Sequence, residues 1–88
     1  MGHDVMIIPS GYEWEIFVDG EYYDSLTDDY GTISEIDSAD ELTEYIEETI
    51  RAMEEARAFN GDKTLTPDTR KRAAEKLINI ISTLMDIA

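Results

Sequence analysis

Two periods divide the chain. Up to about residue 36 the apolar positions follow strand-like patterns, and beyond it they recur every three or four residues. "DVMII" is a short apolar run closed by Pro9, Ser10 and Gly11, residue types that favour a turn. In "YEWEIFV", Tyr12, Trp14, Ile16 and Val18 alternate with Glu13, Glu15 and Phe17, the period of a half-buried strand. Asp19-Gly20 supplies the two positive-φ positions of a type I′ hairpin turn, and "EYYDSL" returns as the partner strand. A two-residue turn predicts the pairs Val18–Glu21, Ile16–Tyr23 and Glu15–Asp24. Tyr12, Trp14, Ile16, Val18 and Tyr23 then share the core face, and Glu13, Glu15, Phe17, Tyr22, Asp24 and Leu26 share the other. Glu15 opposite Asp24 sets like charges against each other, an arrangement that destabilises a sheet. "TDDYG" reads as a loop and "TISEI" as a further strand.

The remainder predicts two helices. Ser38 followed by Glu41 is a capping box. Leu42, Tyr45, Ile46, Ile50 and Met53 then recur at helical spacing up to the stop signal Asn60-Gly61. The polar side of this helix carries Glu41, Glu44, Glu47, Glu48, Glu54 and Glu55. Thr66-Pro67-Asp68 opens the second helix with an N-cap and a proline in the first turn. Its apolar positions, from Ala73 to Ala88, sweep roughly half the circumference. That is wider than one neighbouring helix requires, and it leaves residues 73–88 open as a homodimer seam.

Together these elements predict an α+β fold. A small antiparallel sheet of three or four strands lies within residues 4–36, and two helices pack on one of its faces. The chain forms a single domain, 1–88, with an acidic β-rich half (1–37) and a helical half (38–88). Trp14, Ile16, Val18, Leu42, Ile46, Ile50, Leu77, Ile81 and Leu84 are the expected core.

Charge sharpens this division. Residues 1–50 contain 15 acids and no Lys or Arg, whereas residues 51–88 contain 7 basic and 6 acidic residues, giving a formal net charge of −14. Ordinary surfaces mix the two signs. This one repels nucleic acid and anionic membranes and attracts basic partners. An apolar content of 42% is too high for a disordered acidic tail. Without cysteine there are no disulfides or thiolate sites, and a reducing cytoplasm is expected. The longest apolar runs are too short to cross a bilayer, and "MGHDVM" fits neither a secretory signal nor a myristoylation site.

Reactive chemistry is sparse. One histidine, His3, and no cysteine exclude a thiol nucleophile with its base and a two-histidine metal site. The five glycines are scattered and form no phosphate loop. Pairs such as Glu13 and Glu15 are expected by chance among 21 acids. The window "DSLTDDYGTISE" opens with Asp24 and closes with Glu35, but it places Leu26 and Asp29 where a calcium loop needs a ligand and a glycine. The expectation is a protein without enzymatic activity, cofactor or metal site. The basic cluster Arg70-Lys71-Arg72 is too small to bind nucleic acid against the surrounding field. It is expected to pair with carboxylates of the first helix or of a second subunit.

The half without Lys or Arg, the "YEWEIFVDGEYYDS" hairpin and the capped acidic helix "SADELTEYIEETIRAMEE" resemble a class of small acidic phage-encoded inhibitors, the anti-CRISPR and anti-restriction proteins of nucleic-acid-mimic type. The resemblance covers size, charge and the strand-then-helix layout. It implies a non-enzymatic inhibitor, in the cytoplasm of a bacterial host, that occupies the basic nucleic-acid site of a partner protein or complex without itself touching nucleic acid. Carboxylates at i, i+3 and i+4 on a helix stand about 5–6 Å apart at Cβ and offer a row of negative points in place of phosphates. The candidate contacts are Glu13, Glu15, Asp24, Asp28, Asp29, Glu44, Glu47 and Glu48, with Tyr22 and Tyr30 adding stacking and hydrogen bonds. The competing expectation is an assembly module that oligomerises through its second helix, with the acid serving solubility or halophilic adaptation.

Overall fold

The computed structural model describes residues 3–11, 13–27 and 32–85. Three strands, β1 (Val5–Ser10), β2 (Glu13–Val18) and β3 (Glu21–Thr27), form an antiparallel meander in the order β1-β2-β3. A single helical turn, α1 (Thr32–Glu35), leads into two long helices, α2 (Ala39–Phe59) and α3 (Pro67–Met85). The architecture is α+β, two layers deep, with α2 and α3 on one side of the sheet.

Local chemistry sets most of the boundaries. Asp19 (φ 53°) and Gly20 (φ 83°) both take the left-handed backbone of a type I′ turn. Ser38 caps α2, its Oγ accepting the Glu41 N–H at 3.2 Å. At the other end Gly61 (φ 78°) reverses the chain. The Gly61 N–H donates to the Ala58 carbonyl and the Asp62 N–H to the Arg57 carbonyl, so the last turn is satisfied. Thr66 caps α3, accepting the Thr69 N–H at 3.3 Å, and Pro67 occupies the first helical position, where no N–H is required.

The register departs from a plain two-residue hairpin. Val18 pairs with Glu21 and Phe17 with Tyr22, but Ile16 then pairs with Asp24, Glu15 with Ser25 and Trp14 with Leu26. A bulge at Tyr23 supplies the extra residue. It removes the predicted opposition of Glu15 and Asp24. It also moves Leu26, assigned by strict alternation to the outer face, into the core at 5% exposure. "TISEI" is a helical turn and not a strand. Ile33 and Ile36 are both buried, and residues three apart meet on one side of a helix but on opposite faces of a strand.

The core lies between the layers. Val5, Ile7, Ile16 and Leu26 of the sheet meet Leu42, Ile46 and Ile50 of α2 and Ala73, Ala74, Leu77 and Ile81 of α3, with Ile33 and Ile36 closing one end. Each fully buried Leu or Ile contributes roughly 1.5–3 kcal/mol. Trp14 and Val18 pack against this cluster half-buried. Leu84 does not join it and is 64% exposed: Ile81 is the last fully buried position of α3, and of the residues after it Met85 packs against the core instead. Tyr12, Ile87 and Ala88 lie outside the described residues.

β1 is an edge strand. The Asp4 carbonyl accepts the Asp19 N–H, and the alternation of antiparallel rungs turns the backbone of His3, Val5, Ile7 and Pro9 toward the open edge. There α3 supplies the donors: Arg72 Nη1 meets the His3 carbonyl and Lys76 Nζ meets the Val5 carbonyl, both at 2.6 Å. Pro9 has no N–H to leave exposed. Arg72 therefore donates to the backbone just before β1 and not to a carboxylate.

Leu77→Ala is expected to lower the unfolding free energy by about 2–5 kcal/mol. Leu84→Ala should change it by less than about 0.5 kcal/mol. Urea unfolding followed by circular dichroism checks both, and equal losses would contradict the core assigned here.

Candidate protein-interaction surface

The structure divides the candidate residues among three places. Glu13 is exposed and Glu15 half-buried on the outer face of β2, the face turned away from the helices. Tyr22 shares that face, its ring edge-on to Phe17 with centroids 5.8 Å apart. Glu44, Glu47 and Glu48 are exposed on α2, across the molecule from the outer sheet face. Asp24 sits between the layers. Asp28, Asp29 and Tyr30 lie outside the described residues. The fold thus brings Glu13, Glu15 and Tyr22 together, and separately Glu44, Glu47 and Glu48, but does not merge the two sets.

Asp24 is part of an internal network. The bulge turns both Tyr23 and Asp24 toward α2. Tyr23 donates its hydroxyl to Glu54 Oε2 at 2.6 Å, with the Lys63 carbonyl also within reach at 3.1 Å. The other Glu54 oxygen accepts the Leu65 N–H at 2.6 Å. Arg57, one turn along α2, donates to Asp24 Oδ2 at 3.1 Å and to the Lys63 carbonyl at 2.7 Å. Its guanidinium lies 4.1 Å from the centre of the Tyr23 ring, a cation–π contact. Asp24 is thereby neutralised by a partly buried cation.

Glu54 is 6% exposed, although charge alone assigns it to the polar side of α2. A signal for it was present, because residues 42, 46, 50 and 54 step by four and Glu54 extends the buried Leu42–Ile46–Ile50 row. Burial, followed by the adjoining Glu54 carboxylate, pushes the Tyr23 phenol well above its ordinary value of 10.0. Burial acts against the charge of Arg57, but the hydrogen bond to Asp24 and the ionisable hydroxyl of Tyr23 outweigh it and its pKa is raised. At the β2–β3 turn the Asp19 carboxyl is held below 3.8, first by the Asp4 N–H and then by His3.

On α2 the exposed acids have a definite arrangement. Glu41, Glu44, Glu48 and Glu55 follow steps of three, four and seven residues and so form one ridge. At 1.5 Å per residue it is about 21 Å long. Arg51 interrupts it, 3.9 Å from Glu48, with both side chains 64% exposed. An ion pair that exposed contributes about 0–1 kcal/mol and is readily exchanged. Glu47 turns toward α3. There Glu44, Glu47 and Glu48 form one wall of a groove of about 940 Å³, and Arg70 and Lys71 stand on the other wall.

Among the described residues no group of three or more His, Asp or Glu is placed to hold a metal ion, and no helix is long and apolar enough to cross a membrane. The chain matches no protein-family model, no curated protein and no solved structure.

Tyr23→Phe removes one of the two donors to the buried Glu54 and is expected to cost about 1–3 kcal/mol. The native phenol keeps its proton where an unfolded tyrosine loses it. Stability should therefore be full below pH 10.0 and decline as pH rises through and beyond that value. Urea titrations between pH 8 and pH 11 should show a shallower decline in the Tyr23→Phe variant than in the wild type, and parallel slopes would refute the assignment.

Proposed function

We propose that this protein is a non-enzymatic binding protein that presents carboxylates to a cationic site on a partner, of the kind that otherwise holds nucleic-acid phosphates. The observation that carries this reading is the α2 ridge of Glu41, Glu44, Glu48 and Glu55, fixed on a helix anchored to the core. Helix geometry holds the intervals between these charges constant, so a partner's Arg and Lys side chains can be matched without ordering a flexible chain.

Charge density bounds the proposal. One DNA strand carries a phosphate every 3.4 Å of axis, or about six over the length of this ridge. The ridge offers four carboxylates against Arg51 on the same helix, with Arg70 and Lys71 facing Glu44 and Glu48 across the groove. It therefore suits part of a phosphate-binding groove and not the full footprint of a duplex. Three cations are held away from the ridge: Arg57 is directed to Asp24, and Arg72 and Lys76 to the His3 and Val5 carbonyls. An inhibitor that occupies the nucleic-acid site of a bacterial defence complex is the most specific form of this reading.

A second reading has one observation in its favour. Leu84 near the end of α3 is 64% exposed, with Ile80 half-buried one turn before it. An assembly module would cover these residues with a second copy. In that case sedimentation velocity would show a dimer that Leu84→Ser dissociates.

For the leading reading, the immobilised protein is expected to retain nucleic-acid-binding proteins from a bacterial lysate at low salt and to release them to excess duplex DNA or RNA. Partner affinity should fall about 10³-fold or more between 50 and 200 mM salt if six or more contacts form, and less for fewer. Reversal of Glu44 and Glu48 to Lys should abolish retention while leaving the melting temperature within a few degrees of wild type. Retention that neither salt nor charge reversal alters would overturn the proposal.

A further inference from the structure

The outer face of the sheet is uncovered, and it is more than a solvated surface. Met6, Phe17 and Tyr22 lie in one row across all three strands. Met6 is 48% and Tyr22 56% exposed, and Ile8 in the next row is 38% exposed. Among the described residues, three of the five large exposed hydrophobic ones thus fall on this one face. Beside Ile8 stands Glu15, and beyond it Glu13, pairing with Ser10. Successive rows on a face are about 6.7 Å apart, and three strands span about 10 Å. The result is an apolar band about one helix wide, with carboxylates set one and two rows to one side.

We infer that this face docks a cationic amphipathic helix of a partner protein, its apolar stripe on Met6, Ile8, Phe17 and Tyr22 and its Lys or Arg side chains on Glu13 and Glu15. The inference rests on the same reading of a cationic partner but adds a surface that α2 does not share.

Three observations select this occupant. Every Lys and Arg of the chain lies between residues 51 and 76, on α2, α3 or the loop between them, so no strand residue offsets Glu13 and Glu15. A second copy stacked face to face would bring the same acids together, on molecules each carrying −14. An added strand is disfavoured at the β1 edge, where Arg72 and Lys76 occupy the His3 and Val5 carbonyls and Pro9 offers no donor. The inner face shows the alternative within this molecule: α3 lays an apolar stripe on β1 and reaches acceptors of the sheet with its basic side chains.

The test uses an 18-residue synthetic helix with a Leu stripe flanked by Lys, titrated into the isotope-labelled full-length protein. The methyl and amide signals of Met6, Ile8, Phe17 and Tyr22 should move. Affinity should fall at least tenfold when Glu replaces Lys in the peptide, and again when its sequence is scrambled so that the stripe is lost. These comparisons use wild-type protein and do not depend on any variant folding. Met6→Ser with Tyr22→Ser, and separately Glu13→Gln with Glu15→Gln, should each weaken binding at least tenfold, whereas Glu44→Lys with Glu48→Lys should change it less than twofold. Shifts confined to α2 would overturn this inference and leave the proposed function standing. Silence at both surfaces would count against both. Equal binding of the scrambled peptide would reduce the contact to charge alone and overturn the inference. So would a wild-type dimer that Met6→Asp dissociates, since a second copy would then be the occupant.

Discussion

The buried carboxylate of Glu54 is the constraint on which the arrangement of the layers depends. A charged group this far from water is tolerated only when its oxygens are hydrogen-bonded. Each Glu54 oxygen has one donor at 2.6 Å, the Tyr23 hydroxyl from β3 and the Leu65 N–H from the α2–α3 loop. Three stretches of chain distant in sequence are thereby brought to one point. Arg57 reinforces the junction by stacking on Tyr23 and bonding Asp24 and the Lys63 carbonyl. With the loop held at β3, α3 returns across the sheet to β1, where Lys76 and Arg72 find the edge carbonyls.

The same network shapes the exterior. An acidic protein with few cations can leave them free at its surface or engage them in intramolecular hydrogen bonds, and here three of the seven are so engaged. Arg57, Arg72 and Lys76 contact groups of the protein itself. The carboxylates of the α2 ridge and of the outer sheet face are left at the surface, with Arg51 beside Glu48 on α2. The two acidic surfaces lie on opposite layers, so two distinct contacts are available in place of one continuous face.

Turns and caps are the features that local chemistry settles. The Asp19-Gly20 turn, the Ser38 and Thr66 caps and the Asn60-Gly61 stop each depend on a few neighbouring residues, and each sits where its residue types require. Ile16, Leu42, Ile46, Ile50, Leu77 and Ile81 are buried as their periodicity predicts. The candidate acids Glu44, Glu47 and Glu48 were correctly assigned to the exposed side of a helix. Glu54 is the exception: its charge suits the polar side of α2, but its place four residues beyond Ile50 puts it in the buried row.

The sequence by itself therefore determined the three strands, the two long helices and their caps, the turn between β2 and β3 and the confinement of every Lys and Arg to the helical half, since these follow from short-range backbone preferences and from counting. Tertiary structure alone decided the bulge at Tyr23, the burial of Leu26 and Glu54, the exposure of Leu84 and the separation of the acids into two surfaces. Those outcomes depend on which distant groups meet. A single extra residue in β3 costs little locally, but it turns Tyr23 and Asp24 toward α2, where Glu54 and Arg57 receive them.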